Sequence, residues 1–365
     1  MRRALSVDKP LLLIVATLVV CGGLIFASAV FGLLARGGLN MSGIALKQAL
    51  WIGVGILALL IASRLDYKLW RRLAPYVYVL ALALTAAVFI PGIGFEHGGG
   101  RRWLSLAGFT AQPSEFLKVA AIIMAAAYFA TIRAKIADLR WGLGGLALIL
   151  AAPVGILLIQ PDLGTLGVIT ISVLVVFFAA GARFRDVLLV ALIGVLTVLV
   201  LSTVTPYVRD RVEIFLNPSR SPQAEGYQIR QSLIAIGSGG LAGRGFGQSV
   251  QKFTYLPEPM GDSIFAVAAE EFGFIGSIAL IGAFLSLALR GFNVAARAGE
   301  QFGGLLAIGI STYLVAEAFI NIGAMLGLAP LTGIPLTFIS QGGSAMLASL
   351  GSAGILLSVS RRARR

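Results

Sequence analysis

The sequence predicts an all-α, polytopic membrane protein with about ten transmembrane helices, and three observations carry that prediction. Of 365 residues, 58% are hydrophobic and only 12% charged, about half the charged fraction of a soluble domain. Mean hydropathy is +0.92. Apolar runs near the roughly 20 residues that cross a bilayer recur along the whole chain. They lie at 11–34, 46–63, 73–91, 114–132, 143–160, 165–182, 186–205, 263–289, 303–328 and 337–360. A soluble chain of this length would suit two or three domains. Here no soluble domain, linker or internal repeat is visible, and 1–365 reads as a single transmembrane domain.

The first run is too long for a signal-peptide core, and its Ala27-Ser28-Ala29 lies within the apolar stretch, so it is expected to stay as a membrane helix. The sixth and seventh runs are parted only by Gly181-Ala182-Arg183-Phe184-Arg185. After the seventh comes one long loop, about 206–262, which at that length is expected to be functional. Within it, Tyr207 to Leu216 places Val208, Val212 and Phe215 on one helical face, with Arg209, Asp210, Arg211 and Glu213 away from it. That pattern suits a short helix in the membrane interface.

Lysine and arginine placement sets the orientation. With Arg2, Arg3 and Lys9 in the cytoplasm, an even number of spans returns Arg361, Arg362, Arg364 and Arg365 there. The cytoplasmic loops then hold Arg64, Lys68, Arg71 and Arg72; Arg133, Lys135 and Arg140; Arg183 and Arg185; Arg290 and Arg297. By position, 18 of the 29 basic residues fall inside, so the net charge of +13 reflects topology and not nucleic-acid binding. Cys21 is the only cysteine and His97 the only histidine. An internal disulfide is excluded, and a histidine-based metal site or triad would rest on one residue.

The basic residues outside that pattern point to chemistry. Arg101 and Arg102 follow the third run; Arg209, Arg211, Arg220, Arg230, Arg244 and Lys252 lie in the long outer loop. Arg101-Arg102-Trp103 is followed by Gln112-Pro113-Ser114-Glu115 and Lys118. Glu115 and Lys118 are three apart and can pair on one helix face. Gln160-Pro161-Asp162 precedes the sixth run, where Asp162 could simply cap a helix. Glycine-rich stretches at 237–240 and 243–247 could cradle phosphate oxygens, although plain turns explain them as well. Ser340-Gln341-Gly342-Gly343-Ser344 opens the last run. Asp262 stands before the eighth run, again as either a helix cap or an expensive carboxylate kept for function. Glu270 and Glu271 follow, expected to lie roughly 12 Å deeper and to pair within the bundle. Arginines, a lysine and backbone N–H groups suit a diphosphate, and a carboxylate beside them suits a general base. The substrate implied is a lipid-linked diphosphoryl sugar arriving from the outer leaflet.

These residues resemble the SEDS family, the FtsW, RodA and SpoVE proteins of bacterial cell-wall synthesis. The resemblance covers nearly the whole chain. It is carried by R-R-W with Q-P-S-E (Arg101 to Glu115), Q-P-D-L-G-T (Gln160 to Thr165), G-Y-Q with a following Q-S (Gly226 to Ser232) and A-I-G-S-G-G (Ala235 to Gly240). It continues in L-P-E-x-x-x-D-x-I-F-A-V-x-x-E-E (Leu256 to Glu271), N-I-G (Asn321 to Gly323) and S-x-G-G-S (Ser340 to Ser344). Met260-Gly261 stands where the family often has His-Thr, Gln341 where Tyr is usual, and Gly98-Gly99-Gly100 where Asn-Gly-Ala is common. Pro91-Gly92-Ile93-Gly94 leans toward the division or sporulation type over the elongation type.

The resemblance implies a peptidoglycan polymerase of the bacterial cytoplasmic membrane. Both termini would be cytoplasmic and the active site on the outer face. The family's essential aspartate matches Asp262, which would take the proton from the 4-hydroxyl of an acceptor sugar. That oxygen attacks the donor's anomeric carbon with inversion, and undecaprenyl diphosphate leaves lipid II. Arg101, Arg102, Lys118 and Arg244 would offset the leaving charge, with Gln112, Ser114, Glu115, Asp162, Lys252 and Ser344 completing the substrate site. No organic cofactor is implied. A divalent cation, Mg2+ or Mn2+, could be held by Asp262, Glu115 or Asp162. The implied partners are a class B penicillin-binding protein acting as transpeptidase and other divisome or elongasome membrane proteins. Its membrane helix would pack on 263–289 and 303–328, where Gly273, Gly276, Ser277, Gly282, Gly303, Gly304, Gly309 and Ser311 allow close approach; the same residues could equally pack the bundle's own helices. The rival reading is a lipid II transporter, or flippase. It calls for sites near the midplane and inverted repeats, whereas these polar motifs gather at one face.

Overall fold

A backbone surrounded by lipid must satisfy its own N–H and C=O groups, so each long apolar run becomes a helix. A computed structural model describes residues 7–32, 41–97, 100–106, 109–217 and 225–362. Among them every expected span is helical: α1 (Lys9–Phe31), α2 (Met41–Arg64), α3 (Tyr67–Ala86), α4 (Ser114–Thr131), α5 (Gly144–Ile159), α6 (Leu163–Ala179) and α7 (Phe184–Val204). Three short helices follow in the long loop: α8 (Pro206–Leu216), α9 (Glu225–Ser238) and α10 (Gln251–Thr254). Then come α11 (Ile264–Ala296), α12 (Gln301–Met325) and α13 (Gly343–Arg361). Nine of the described helices are long and apolar enough to cross a membrane, and α6 is slightly shorter at 17 residues. Arg2, Arg3, Arg220, Arg364 and Arg365 lie outside the described residues.

The centre of the bundle is α4, α12 and α13, the most buried of the spans. Small residues let them approach: a Cβ on Gly309 of α12 would meet Ile122 of α4 at 2.5 Å, and one on Gly354 of α13 would meet the Leu59 carbonyl of α2 at 2.5 Å. By contrast, α7 has no buried residue. At one end Asp8 caps α1 through the Leu11 N–H at 2.9 Å and grips Arg290 of α11 with both carboxylate oxygens, at 2.9 and 2.8 Å. The start of α1 and the late part of α11 therefore share one face of the bundle.

The segment after α3 is an antiparallel three-stranded sheet, β1 (Gly94–His97), β2 (Gly100–Leu106) and β3 (Phe109–Ala111), in that spatial order. The hydropathy pattern did not announce it, because its strands are short and carry glycine and charge. Glu96 pairs with Arg101 and Leu104 with Ala111. Successive strand side chains point to opposite faces, which sends the adjacent Arg101 and Arg102 in different directions.

Two boundaries move relative to the hydropathy reading. The last span was expected from 337 but α13 starts at Gly343, and residues 337–342 form a loop that reaches into the bundle. Within α11, Gly273 takes φ 65 and ψ −163 and divides the helix into Ile264–Phe272 and Phe274–Ala296. The loop at 240–245 fills that break: Arg244 and Gly245 N–H groups donate to the carbonyls of Glu270 and Glu271, and Phe274 and Ile275 donate to Gly240 and Leu241. A Cβ at Gly273 would sit 2.3 Å from the Gly243 nitrogen, so only glycine fits.

Candidate active site

The Asp262 loop is held through its main chain, by its own turn and by two other segments, at Asn321 and at Ser340 and Gln341. Gly261 and Ser263 N–H groups both donate to the Glu258 carbonyl, at 3.0 and 3.3 Å, closing a tight turn with Glu258 at φ 44. Ser340 Oγ donates to the Gly261 carbonyl at 2.6 Å, and the Gln341 N–H to Met260 at 2.7 Å. Asn321 Nδ2 bridges the carbonyls of Asp262 and Ile334, each at 2.8 Å. With its main chain pinned, the Asp262 carboxylate accepts from Gln228 Nε2 at 3.0 Å. It does not cap α11, because Ser263 occupies the cap position and no side chain caps that end. The residue is half-buried. Burial pushes its carboxyl up from 3.8, the Gln228 hydrogen bond pulls it back, Glu258 pushes it up again, and the Asp262 and Ser263 backbone N–H groups pull it down; the balance is about 6. A carboxylate that exchanges its proton near neutral pH is suited to general-base work.

Asp162, Gln112, Ser114 and Ser344 come together as a second cluster. Asp162 caps α6 through the Thr165 N–H at 3.1 Å, and its other oxygen accepts from Gln112 at 3.1 Å and Ser114 at 3.3 Å. The Gln112 N–H donates to Ser344 Oγ at 3.2 Å. Arg102 lies alongside, donating to the carbonyls of Gln160 (3.3 Å) and Pro161 and to the Tyr207 hydroxyl (2.9 Å). Arg101 turns the other way, exposed, with Glu96 at 3.6 Å.

Two lysines expected to face substrate are enclosed instead. Lys118 is fully buried between Glu115 and Glu317, 2.9 Å from each, with its ammonium 5.2 Å over the Tyr313 ring. Lys252 is equally buried, 2.6 Å from Glu271 and 2.7 Å from Ser28 Oγ, with the Gly247 carbonyl at 2.9 Å. In this arrangement neither ammonium presents a face to a ligand. Arg244 is partly exposed and stands 3.4 Å from Glu270. Glu270 also accepts from Ser249 Oγ at 2.6 Å and from the Val250 and Gln251 N–H groups at 3.0 and 3.2 Å.

Glu270 and Glu271 thus pair within the bundle as expected. Glu271 accepts from Ser28 Oγ near the C-terminal end of α1, and Phe338, two residues before the Ser340 that holds the Asp262 loop, lies against Gly22 further back on α1.

Gln228, Asn321 and Ser340 stood inside recognisable motifs without an assigned role, and the structure makes them the frame of Asp262. Glu317 carried a readable signal that went unused, a lone carboxylate in an apolar span. Tyr207 carried none. Among the described residues, no three or more His, Cys, Asp or Glu side chains gather to hold a metal ion. Glu115 is engaged by Lys118, Asp162 by three donors and Asp262 by Gln228.

The FtsW/RodA/SpoVE family model, described as a cell cycle protein, matches residues 9–365. Stage V sporulation protein E of Bacillus subtilis (strain 168) is 40% identical over 320 residues, 88% of this chain and 87% of that protein. The probable peptidoglycan glycosyltransferase FtsW of Trichlorobacter lovleyi is 37% identical over 358 residues, 98% of this chain and 94% of that protein. Rod shape determining protein RodA of Thermus thermophilus superposes with a TM-score of 0.73 at 28% identity, over 99% of this chain and 98% of that one. A chain from a peptidoglycan synthase complex, studied for structural coordination of polymerization and crosslinking, gives a TM-score of 0.79 at 29% identity over 98% of both.

Proposed function

The chain belongs to the FtsW, RodA and SpoVE family of cell cycle proteins, and on that premise we propose that Asp262 is the general base of its glycosyl transfer. It is an integral membrane protein and a peptidoglycan glycosyltransferase. The observation that carries the assignment is the state of Asp262. It is half-buried, its main chain is pinned from several sides, and among the described residues Gln228 donates to its carboxylate. Its carboxyl, raised to about 6, is ionised at neutral pH yet still accepts a proton.

The acceptor sugar's 4-hydroxyl gives its proton to Asp262 as its oxygen forms a bond to the anomeric carbon of lipid II. The bond from that carbon to the diphosphate breaks, configuration inverts, and undecaprenyl diphosphate leaves with its electron pair. Arg102 is the guanidinium best placed to meet the leaving charge. A divalent cation, Mg2+ or Mn2+, would be held by Asp262 and Glu258 with diphosphate oxygens and would supply positive charge there. The active face is outward, both termini are cytoplasmic, and the partner is a class B penicillin-binding protein that crosslinks the product.

The test is incorporation of purified lipid II into glycan by the detergent-solubilised protein with its transpeptidase partner. Transport has no meaning in detergent, so polymer formed by wild type and lost in Asp262→Ala separates polymerase from flippase. Polymer made by Asp262→Ala at the wild-type rate removes Asp262 from the mechanism.

A further inference from the structure

Arg71 and Arg72 lie in the first turns of α3, and Arg133, Lys135 and Arg140 in the link between α4 and α5. All five are exposed, and among the described residues none has a carboxylate within ion-pair distance. Other cations at that end of the bundle are paired: Lys68 with Glu300, Arg290 with Asp8 and Arg362 with Asp66. It is the end of the chain termini, since Arg362 follows α13 and Asp66 precedes α3.

The two segments meet on one turn of α4. Arg71 Nη2 donates to Thr131 Oγ1 at 3.4 Å, and the Tyr128 hydroxyl donates to the Trp141 carbonyl at 2.9 Å. Tyr128 and Thr131 are three apart and therefore neighbours on the helix surface. The Trp141 ring collects two more cations, with Lys135 Nζ 5.2 Å and the Arg140 guanidinium 5.7 Å from its centroid. An aromatic face holds a cation in place and leaves it positive. The link is tightly folded: a Cβ on Gly142 would lie 2.0 Å from the Ile136 carbonyl, and one on Gly145 would lie 2.2 Å from the Tyr128 ring. Asp138, the one carboxylate of the link, accepts from the Arg140 N–H at 3.2 Å. Leu139 and Trp141 are exposed, which sets apolar surface beside the charge.

Cations without counter-ions beside an exposed tryptophan, at the end of membrane-spanning helices, match a ligand that is anionic at its head and apolar in its tail. We propose that the start of α3 and the α4–α5 link form a binding site for an anionic phospholipid. Arg71, Lys135 and Arg140 hold its phosphodiester oxygens, and its acyl chains enter the bilayer beside Leu139 and Trp141. The general bias of basic residues toward one membrane face accounts for their number. It does not account for their gathering at one turn of α4 without carboxylate partners. The site is separate from the Asp162 cluster, because Ser114 and Thr131 stand at opposite ends of α4, about 26 Å apart. In the topology proposed above, the lipid belongs to the cytoplasmic leaflet.

The experiment titrates the full chain in nonionic detergent with dioleoylphosphatidylglycerol or dioleoylphosphatidylcholine and reads bound lipid by native mass spectrometry. The wild type should bind phosphatidylglycerol about tenfold or more tighter than phosphatidylcholine. Arg71→Gln and Arg140→Gln should each weaken phosphatidylglycerol binding by about fivefold and leave phosphatidylcholine binding unchanged. Arg140→Lys should keep most of the affinity, and Trp141→Leu should lose about twofold. Arg297→Gln, which removes an exposed cation at the same end but outside the cluster, should change nothing. If Arg71→Gln lowers the melting temperature, Arg140→Gln and Trp141→Leu decide the matter. Equal affinity for the two lipids, or the same loss in Arg297→Gln as in Arg140→Gln, overturns the site and leaves only diffuse attraction between a basic surface and an anionic leaflet. Displacement of phosphatidylglycerol by an equal concentration of glycerol 3-phosphate overturns the lipid assignment in favour of a soluble phosphate. Binding is read without turnover, so none of these outcomes depends on the chemistry at Asp262.

Discussion

Asp162 and Asp262 look alike in sequence, each a carboxylate at the mouth of an apolar run, and the structure gives them different surroundings. Asp162 is a cap with both oxygens engaged, one by the Thr165 N–H and the other by Gln112 and Ser114, and it is 3% exposed. Asp262 leaves the cap position to Ser263, keeps one side-chain donor, and is raised to about 6. Burial holds the Asp262 carboxyl up to about 6 against the pull of Gln228 and of the Asp262 and Ser263 backbone N–H groups, and a carboxyl raised in this way is suited to taking a proton. Helix-start position says nothing about which environment a carboxylate will receive.

The largest effect that tests this contrast is on turnover. Asp262→Ala should lower polymerisation by about 10²–10⁴-fold with no fall in melting temperature. Asp162→Ala should chiefly destabilise, losing a cap of about 1 kcal/mol and stranding Gln112 and Ser114. Equal losses of activity and stability in both variants would break the contrast. Thermal melts and lipid II assays on the same preparations read it.

Next in size are the two buried lysines. Lys118→Met leaves Glu115 and Glu317 buried without a cation, and Lys252→Met does the same to Glu271. Removing one partner of a buried ion pair costs roughly 3–5 kcal/mol, so both variants should unfold at markedly lower denaturant. Glu317→Gln, which leaves Lys118 a one-to-one pair with Glu115, should cost far less. A Lys118→Met variant of full stability but little activity would return Lys118 to the substrate site.

A smaller effect concerns pH. A general base works deprotonated, so activity should fall as pH drops through about 6. Gln228 donates to the anionic carboxylate and lowers its pKa; Gln228→Leu should move the half-activity point upward. A downward shift would place the titrating group elsewhere.

The smallest expected effect is on partner docking. Gly303, Gly309 and Ser311 of α12 are taken up inside the bundle, by Tyr67, Ile122 and Gly291, and Gly273 is filled by its loop. On α11, Gly282 faces open space beside the exposed Ile278, Leu285 and Leu289. Of the two segments offered for the transpeptidase helix, α11 is therefore the one with an outward apolar face. Gly282→Leu should keep stability and weaken crosslinking to the partner, whereas Gly309→Leu should destabilise the chain. Crosslinks confined to α1, α2 and α3 would rule out this face.

Hydropathy alone located every spanning helix, because a lipid-facing backbone must bond within its own segment and bilayer thickness sets the length. The polar motifs also marked the loops that meet at the site, since charge is costly anywhere else in such a chain. Which groups meet was decided by packing. Lys118 finds Glu317, 199 residues away, and Lys252 finds Ser28, 224 away. Gly273 breaks α11, and a loop about thirty residues earlier supplies the hydrogen bonds at the break. Partners like these depend on how whole helices rotate and stack against one another, and a local run of residues carries no record of that.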